Sequence, residues 1–256
     1  MRIAILAPEK IEFSSAAATI TLGSAASDDI VLAGEGVASE HARLGLDARG
    51  YVLEVRAGVA PIYVNARPVR ERALLHAGDQ ISIGAAQVLL LGEHVREACP
   101  DDLEPDADLP PGTLSLRGVG GARSGAALSV APTLELGADG LPVGLGAKAG
   151  SLRVFCVHGR PALLSHDLPA GAWPRINGHV ATRAWLHDGD QIAIGAQRYL
   201  VDAPADAARH DAAQAFIPPE ATRPEDTAGP RREVWWLLLT AAVIALVLAL
   251  LLAIHH

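Results

Sequence analysis

Apolar and polar residues alternate along most of this chain in short runs separated by Gly, Pro, Asn and Asp. Arg2 to Leu6, Ala18 to Gly23, Asp29 to Leu32, His41 to Leu46, Tyr51 to Val55 and Ile62 to Val64 are such runs. Turns are expected at Ala48-Arg49-Gly50 and Asn65-Ala66-Arg67-Pro68. Period-two alternation places every second side chain on one face, so each run reads as a half-buried strand. Short strands at this spacing, without a convincing amphipathic helix, predict an antiparallel sandwich. The same rhythm resumes after residue 112, at Leu114 to Leu116, Ala126 to Val130, Leu134 to Gly137, Leu152 to Val157, Ala162 to Leu164 and Arg175 to Gly178.

One stretch occurs twice. Leu75-His76-Ala77-Gly78-Asp79-Gln80-Ile81-Ser82-Ile83-Gly84-Ala85 returns as Leu186-His187-Asp188-Gly189-Asp190-Gln191-Ile192-Ala193-Ile194-Gly195-Ala196, with nine of eleven positions identical at an offset of 111. That offset is too long for a solenoid repeat and fits two copies of a small domain. In each copy Gly-Asp makes a turn, because Gly tolerates positive φ and Asp bonds nearby backbone. Gln-Ile-x-Ile then alternates as a strand. The expected layout is a first domain at 1–95, an acidic Pro-rich linker at 96–111, a second domain at 112–203, a flexible tether at 204–233 and an apolar helix at 234–254.

That last segment changes the picture. It carries no charge over 21 residues. As a helix it would be about 31 Å long, which matches a bilayer core. Trp235 and Trp236 stand at its head, where an interfacial belt would place them, and Arg231 and Arg232 flank that side. The positive-inside rule then puts the N-terminal side in the cytoplasm. The expectation is a single-pass, tail-anchored protein of a bacterial inner membrane, with about 230 residues in the cytoplasm. As a flexible chain the tether would give the domains roughly 30 Å of reach. The net charge of −8 argues against a nucleic-acid partner. Cys99 and Cys156 lie in different segments with no CxxC, so no disulfide framework is expected.

Catalytic and metal chemistry find no support. No HExxH or Cys/His quartet suggests zinc, and no Gly-x-Ser-x-Gly elbow is present. Gly118 to Gly125 looks like a phosphate loop, but Ala126 stands where a Walker lysine is required, so a hairpin turn is expected there. The sequence implies no enzyme, no cofactor and no metal.

The order of turn motifs resembles the forkhead-associated (FHA) family. Thr21-Leu22-Gly23-Ser24 with Ser27 to Leu32, then Gly36 to Leu44, then Val64 to Val69, then Ala77 to Ile81 carry the resemblance in the first copy. In the second copy Ile176-Asn177-Gly178-His179 and Asp188 to Ile192 carry it. The resemblance implies a mainly β chain, with two FHA-like antiparallel β-sandwiches followed by a single transmembrane α-helix. In the family an eleven-stranded sandwich usually binds phosphothreonine peptides through loops at one end. His41, Gly78, Asp79, Asn177, Gly178, Gly189 and Asp190 match framework positions. Ser24, Ser39, Arg43 and Asn65 are the candidate peptide-binding positions.

The departures concern phosphate. Ser24 stands at the family's arginine position, and Ala138 does so in the second copy. Ala38 replaces the serine three before His41; Gly150 and Arg153 are expected at the serine and histidine positions of the second copy. The peptide-contacting Asn-Gly becomes Ala60-Pro61 and Ala172-Trp173. A phosphate needs charge-assisted donors, each worth about 1.5–3 kcal/mol. The expected function is therefore a membrane-tethered scaffold that binds membrane-proximal protein partners without requiring phosphate. The alternatives are a phosphothreonine reader in a Ser/Thr kinase circuit, with Arg43 or Arg153 replacing the missing arginine, or a component of a bacterial secretion apparatus.

Overall fold

The computed structural model describes residues 1–7, 10–47, 50–143, 150–206, 208, 239–240 and 243–244. Alternation becomes strand wherever a turn can close it. Eleven strands form the first sandwich: β1 (Arg2–Ala7), β2 (Ile11–Ser14), β3 (Thr19–Gly23), β4 (Ile30–Val31), β5 (Ala42–Asp47), β6 (Gly50–Val55), β7 (Ile62–Val64), β8 (Arg67–Val69), β9 (Arg72–Leu75), β10 (Gln80–Ile83) and β11 (Ala86–Leu91). One sheet runs β2-β1-β11-β10-β7-β8 and the other β4-β3-β5-β6-β9. Every pairing is antiparallel except β3 with β4.

The second sandwich has β12 (Ser115–Gly120), β13 (Ala127–Ser129), β14 (Thr133–Gly137), β15 (Ser151–Val157), β16 (Arg160–His166), β17 (Arg175–Ile176), β18 (His179–Val180), β19 (Arg183–Trp185), β20 (Gln191–Ile194) and β21 (Gln197–Asp202). Its sheets run β13-β12-β21-β20-β17-β18 and β14-β15-β16-β19. Strand for strand this is the order of the first sandwich, with no counterpart of β4 among the described residues. Even an irregularity repeats. The register of β1 slips against β11 between Ile5 and Ala7, and that of β12 slips against β21 between Gly118 and Gly120. The Gly121–Ala126 stretch is the turn of the β12–β13 hairpin.

The repeated motif fills both cores. Ile81 and Ile83 with Val88 and Leu90 point inward in the first sandwich. Ile192 and Ile194 with Tyr199 and Val201 do so in the second. Removing one such side chain from water is worth about 1.5–3 kcal/mol, which fixes register, since a one-residue slip would expose the whole set.

The segment expected as an extended linker lies against the second sandwich. Cys99 is 2% exposed and packs with Phe155 and Ala162, beside Leu103 and Trp185, on the outer face of β15 and β16. Its thiol pKa is raised, chiefly by burial. The amide of Trp185 donates to Glu97 O at 2.9 Å, so the strap also bonds the β19 edge. Asp106 then caps the β15–β16 turn, accepting from His158 N and Gly159 N at 2.9 Å each. Acidic charge does not hold this strap away from the protein, because its apolar residues find an uncovered sheet face.

Residues 204–206 and 208 are helical, and the rest of the expected tether lies outside the described residues. Among the described residues no helix is long and apolar enough to cross a membrane. The expected span at 234–254 lies outside them except for the helical 239–240 and 243–244, and Arg231, Arg232, Trp235 and Trp236 lie outside them entirely.

Candidate functional site: the loop end of the first sandwich

Three loops gather at one end of the first sandwich: 24–29 after β3, 32–41 before β5 and 56–61 after β6. They are tied by backbone. Ser24 N donates to Ala38 O at 3.0 Å, and Leu32 N to Gly23 O at 2.7 Å. His41, 1% exposed, locks two of the loops together. Ala38 N donates to its Nδ1 at 3.0 Å, which leaves Nε2 as the protonated nitrogen that donates to Ala60 O at 2.9 Å. The imidazole is a brace between loops and carries no free donor toward solvent.

Asp28 is the second brace. It is 6% exposed. Its Oδ2 accepts from Ala25 N at 2.9 Å, and both carboxylate oxygens accept from Glu40 N, at 3.1 and 3.2 Å. The carboxylate lies directly on Gly23, where a Cβ would sit 2.3 Å from Asp28 Oδ2 and 2.5 Å from Glu40 N. Only glycine leaves room for that approach. Asp29 turns the other way. It accepts from Thr21 N and Thr21 Oγ1 at 2.8 and 2.9 Å, and these bonds hold its carboxyl below the usual range.

The expected peptide-binding residues do not converge. Ser24 and Ser39 are exposed on adjoining loops. Arg43 sits on the outer face of β5, opposite Thr21 and Glu54, and pairs with Glu40 at 3.8 Å. Asn65 belongs to the β7–β8 turn and faces the second sandwich. Two residues at the loop end escaped the sequence reading. Arg56 donates from Nη1 to Ser39 O at 2.8 Å, and Asp28 supplies the brace just described. The Gly23-to-Asp28 spacing was visible in the sequence, but nothing there distinguished Asp28 from Asp29.

Strand register corrects the reading of the second copy. Leu22 pairs with Ala42 and Leu136 with Leu152. Ser151, not Arg153, therefore stands where His41 stands. Arg153 is the counterpart of Arg43: a sheet-face residue that pairs with Glu135 at 3.7 Å and lies 5.4 Å from the Phe155 ring centroid. The serine counterpart moves from Gly150 to position 148, outside the described residues.

The repeated Gly-Asp-Gln element has a different task. Gly78 and Gly189 take φ of 98° and 79°, and Asn65 and Asn177 take 48° and 51°. Asn65 Nδ2 donates to Asp79 Oδ1 at 2.7 Å while Gln80 N donates to Asn65 Oδ1 at 3.0 Å. The second copy repeats this with Asn177, Asp190 and Gln191 at 2.7 and 2.9 Å. Each buried carboxylate then takes a further donor from elsewhere in the chain. Gln191 Nε2 donates to Asp79 Oδ1 at 2.6 Å, across the seam between the sandwiches. Arg96 grips Asp190 in bidentate fashion, with Nε–Oδ2 of 2.9 Å and Nη2–Oδ1 of 2.5 Å. Gly92 N to Asn177 O at 2.8 Å and His179 Nε2 to Gly92 O at 2.9 Å complete the seam, with Arg67 bonded to Ser124. Arg198 lies here too; desolvation first, then Arg175, lowers its pKa, against an opposing pull from Asp79.

A family model described as the cytoplasmic domain of the inner membrane component of the type III secretion system (Yop-YscD_cpl) matches residues 10–94. No curated protein matches the chain. Similar solved structures include the FHA domain of the CT664 protein from Chlamydia trachomatis, 22% identical over 35% of this chain and 95% of that one with a TM-score of 0.32. Mycobacterium tuberculosis EmbR in complex with a low affinity phosphopeptide is 23% identical over 37% of this chain and 25% of that one, with a TM-score of 0.32. The FHA domain of an Arabidopsis thaliana hypothetical protein is 17% identical over 37% and 88%, with a TM-score of 0.31. The match over residues 10–94 supports an FHA-like fold for the first sandwich, in a chain that is mainly β with antiparallel sheets.

Proposed function

We propose that this chain is a scaffold tethered to the cytoplasmic face of a bacterial inner membrane, where its FHA-like sandwiches hold protein partners of a secretion apparatus without reading phosphate. The family match over residues 10–94 supports the setting. The charge-free run at 234–254 supports the tether, with the arginines on its N-terminal side favouring a cytoplasmic location for the sandwiches. Confinement near a bilayer raises the effective concentration of the domains toward other membrane proteins. We read the chain as non-enzymatic and free of cofactors. Among the described residues no cluster of three His, Cys, Asp or Glu could hold a metal.

The observation that carries phosphate independence is the replacement of the family's phosphate-gripping residues at the loop end. Ser24, Ala38 and Ala60-Pro61 supply no charge-assisted donor, Arg43 is turned onto the sheet face, and Arg56 gives one N–H to the carbonyl of Ser39. Proximity labelling from the N-terminal domain in native membranes tests the setting. Membrane-embedded secretion proteins are expected to dominate the labelled set. A labelled set made up of soluble kinases and their substrates would contradict it.

A further inference from the structure

We propose that Asp28 closes the loop end of the first sandwich to phosphate by occupying, from within the chain, the backbone donors that an incoming oxyanion would need. Two amides on different loops, Ala25 N and Glu40 N, converge on one point. Convergent backbone amides are an anion-binding arrangement. Here the anion is the buried Asp28 carboxylate. A phosphate meets three obstacles at this point: the donors are taken, the Cα of Gly23 closes the floor, and a like charge already fills the space. The wider loop end adds to the repulsion. Residues 24–29, 32–41 and 56–61 hold four acids, Asp28, Asp29, Glu35 and Glu40, and one arginine, Arg56; Arg43 pairs with Glu40 from the sheet face, so four acids less two arginines leave two negative charges.

Asp28 is thus a specificity-determining residue: it holds the loops in the shape of an occupied site and directs the loop end toward unphosphorylated segments. This inference rests on the loop end being the partner-facing end. Its test needs no partner, however, so its failure would leave the scaffold reading standing.

The test restores the family's cation with and without Asp28. In the full-length chain, Ser24→Arg alone leaves the amides occupied, whereas Ser24→Arg with Asp28→Ala frees both. Titration calorimetry with inorganic phosphate and with a phosphothreonine peptide is expected to show little gain for the single variant. The double variant is expected to bind about tenfold or more tightly than the single, since each charge-assisted bond regained is worth about that factor. Equal affinities for the two variants, with the double variant folded by circular dichroism, would overturn the proposal. If the double variant does not fold, the unaltered 15N-labelled chain decides. Saturating phosphate must leave the amide signals of Ala25 and Glu40 in place, and a saturable shift of both would overturn the inference.

Discussion

Asn65 and Asn177 make the same bonds in the two copies, but their neighbours differ. Asn177 is followed by Gly178 at φ 86°, whereas Asn65 is followed by Ala66 at φ 66°. An L-residue with a Cβ is disfavoured there, and glycine is not. Ala66→Gly should therefore stabilise the first sandwich by about 1 kcal/mol, read as a higher denaturant midpoint at unchanged slope. A destabilised variant would show that Ala66 contributes packing that outweighs its backbone cost. Arg96 presents the opposite case. Asp190 is 1% exposed, and Arg96 is its cationic partner. Replacing Arg96 with Met keeps the stem and removes the charge, so chemical denaturation should report a loss of about 3 kcal/mol. A loss near that of a surface pair, under about 1 kcal/mol, would contradict the role given to Arg96. Sequence could offer Asp190 and Asp79 as turn residues, because turn chemistry is local. It could not offer Arg96 or Gln191 as their partners, because those contacts join residues about a hundred positions apart.

Strands were legible wherever alternation met a turn residue. The repeated Gly-Asp-Gln-Ile element appears in both sandwiches as a turn followed by β10 or β20. Registers were less legible. The motif order alone put Arg153 at a histidine position, while hydrogen-bonded pairing moves that position to Ser151, because loop lengths in the front halves of the two copies differ. The strap at 96–106 was illegible for another reason. Its Pro and Asp content describes an extended chain, and nothing local says that an apolar sheet face awaits Cys99 and Leu103. Asp106 fastens it. Backbone donation, first from Gly159 and then from His158, holds its carboxyl below the ordinary value. A carboxyl depressed on folding adds stability above its unfolded pKa and loses that contribution as pH falls through the folded one. Acidification below about pH 4 should therefore release the strap end. Hydrogen exchange at the His158 and Gly159 amides should speed up there, relative to strand amides of β15. Rates that track β15 down to that pH would contradict this.

At the scale of the molecule, the repeat pointed to two copies of a small fold, and nothing local said how the two sandwiches meet. The repetition of Gly-Asp-Gln invites a site reading in each copy, yet Asp79 of one copy accepts from Gln191 of the other. The seam is polar, with Asp79 accepting from Gln191, so it should fail when that donor becomes a like charge. Gln191→Glu sets a second carboxylate against Asp79. It should raise exchange at Gly92 N, the amide that bonds Asn177 across the seam, by tenfold or more, while Gln191→Met should do less. Equal protection in all three proteins would mean that the seam does not depend on this bond. The FHA-like framework and the departures at Ser24, Ala38 and Ala60-Pro61 were readable in the sequence. The loop end that those departures leave behind, braced by His41 and filled by Asp28, needed the fold. The most direct measurement of phosphate independence is capture of partners by the full-length chain from membranes split in two, one half treated with a broad phosphatase. The account predicts the same partners in the same amounts from both halves. Partners that vanish with their phosphate would contradict it.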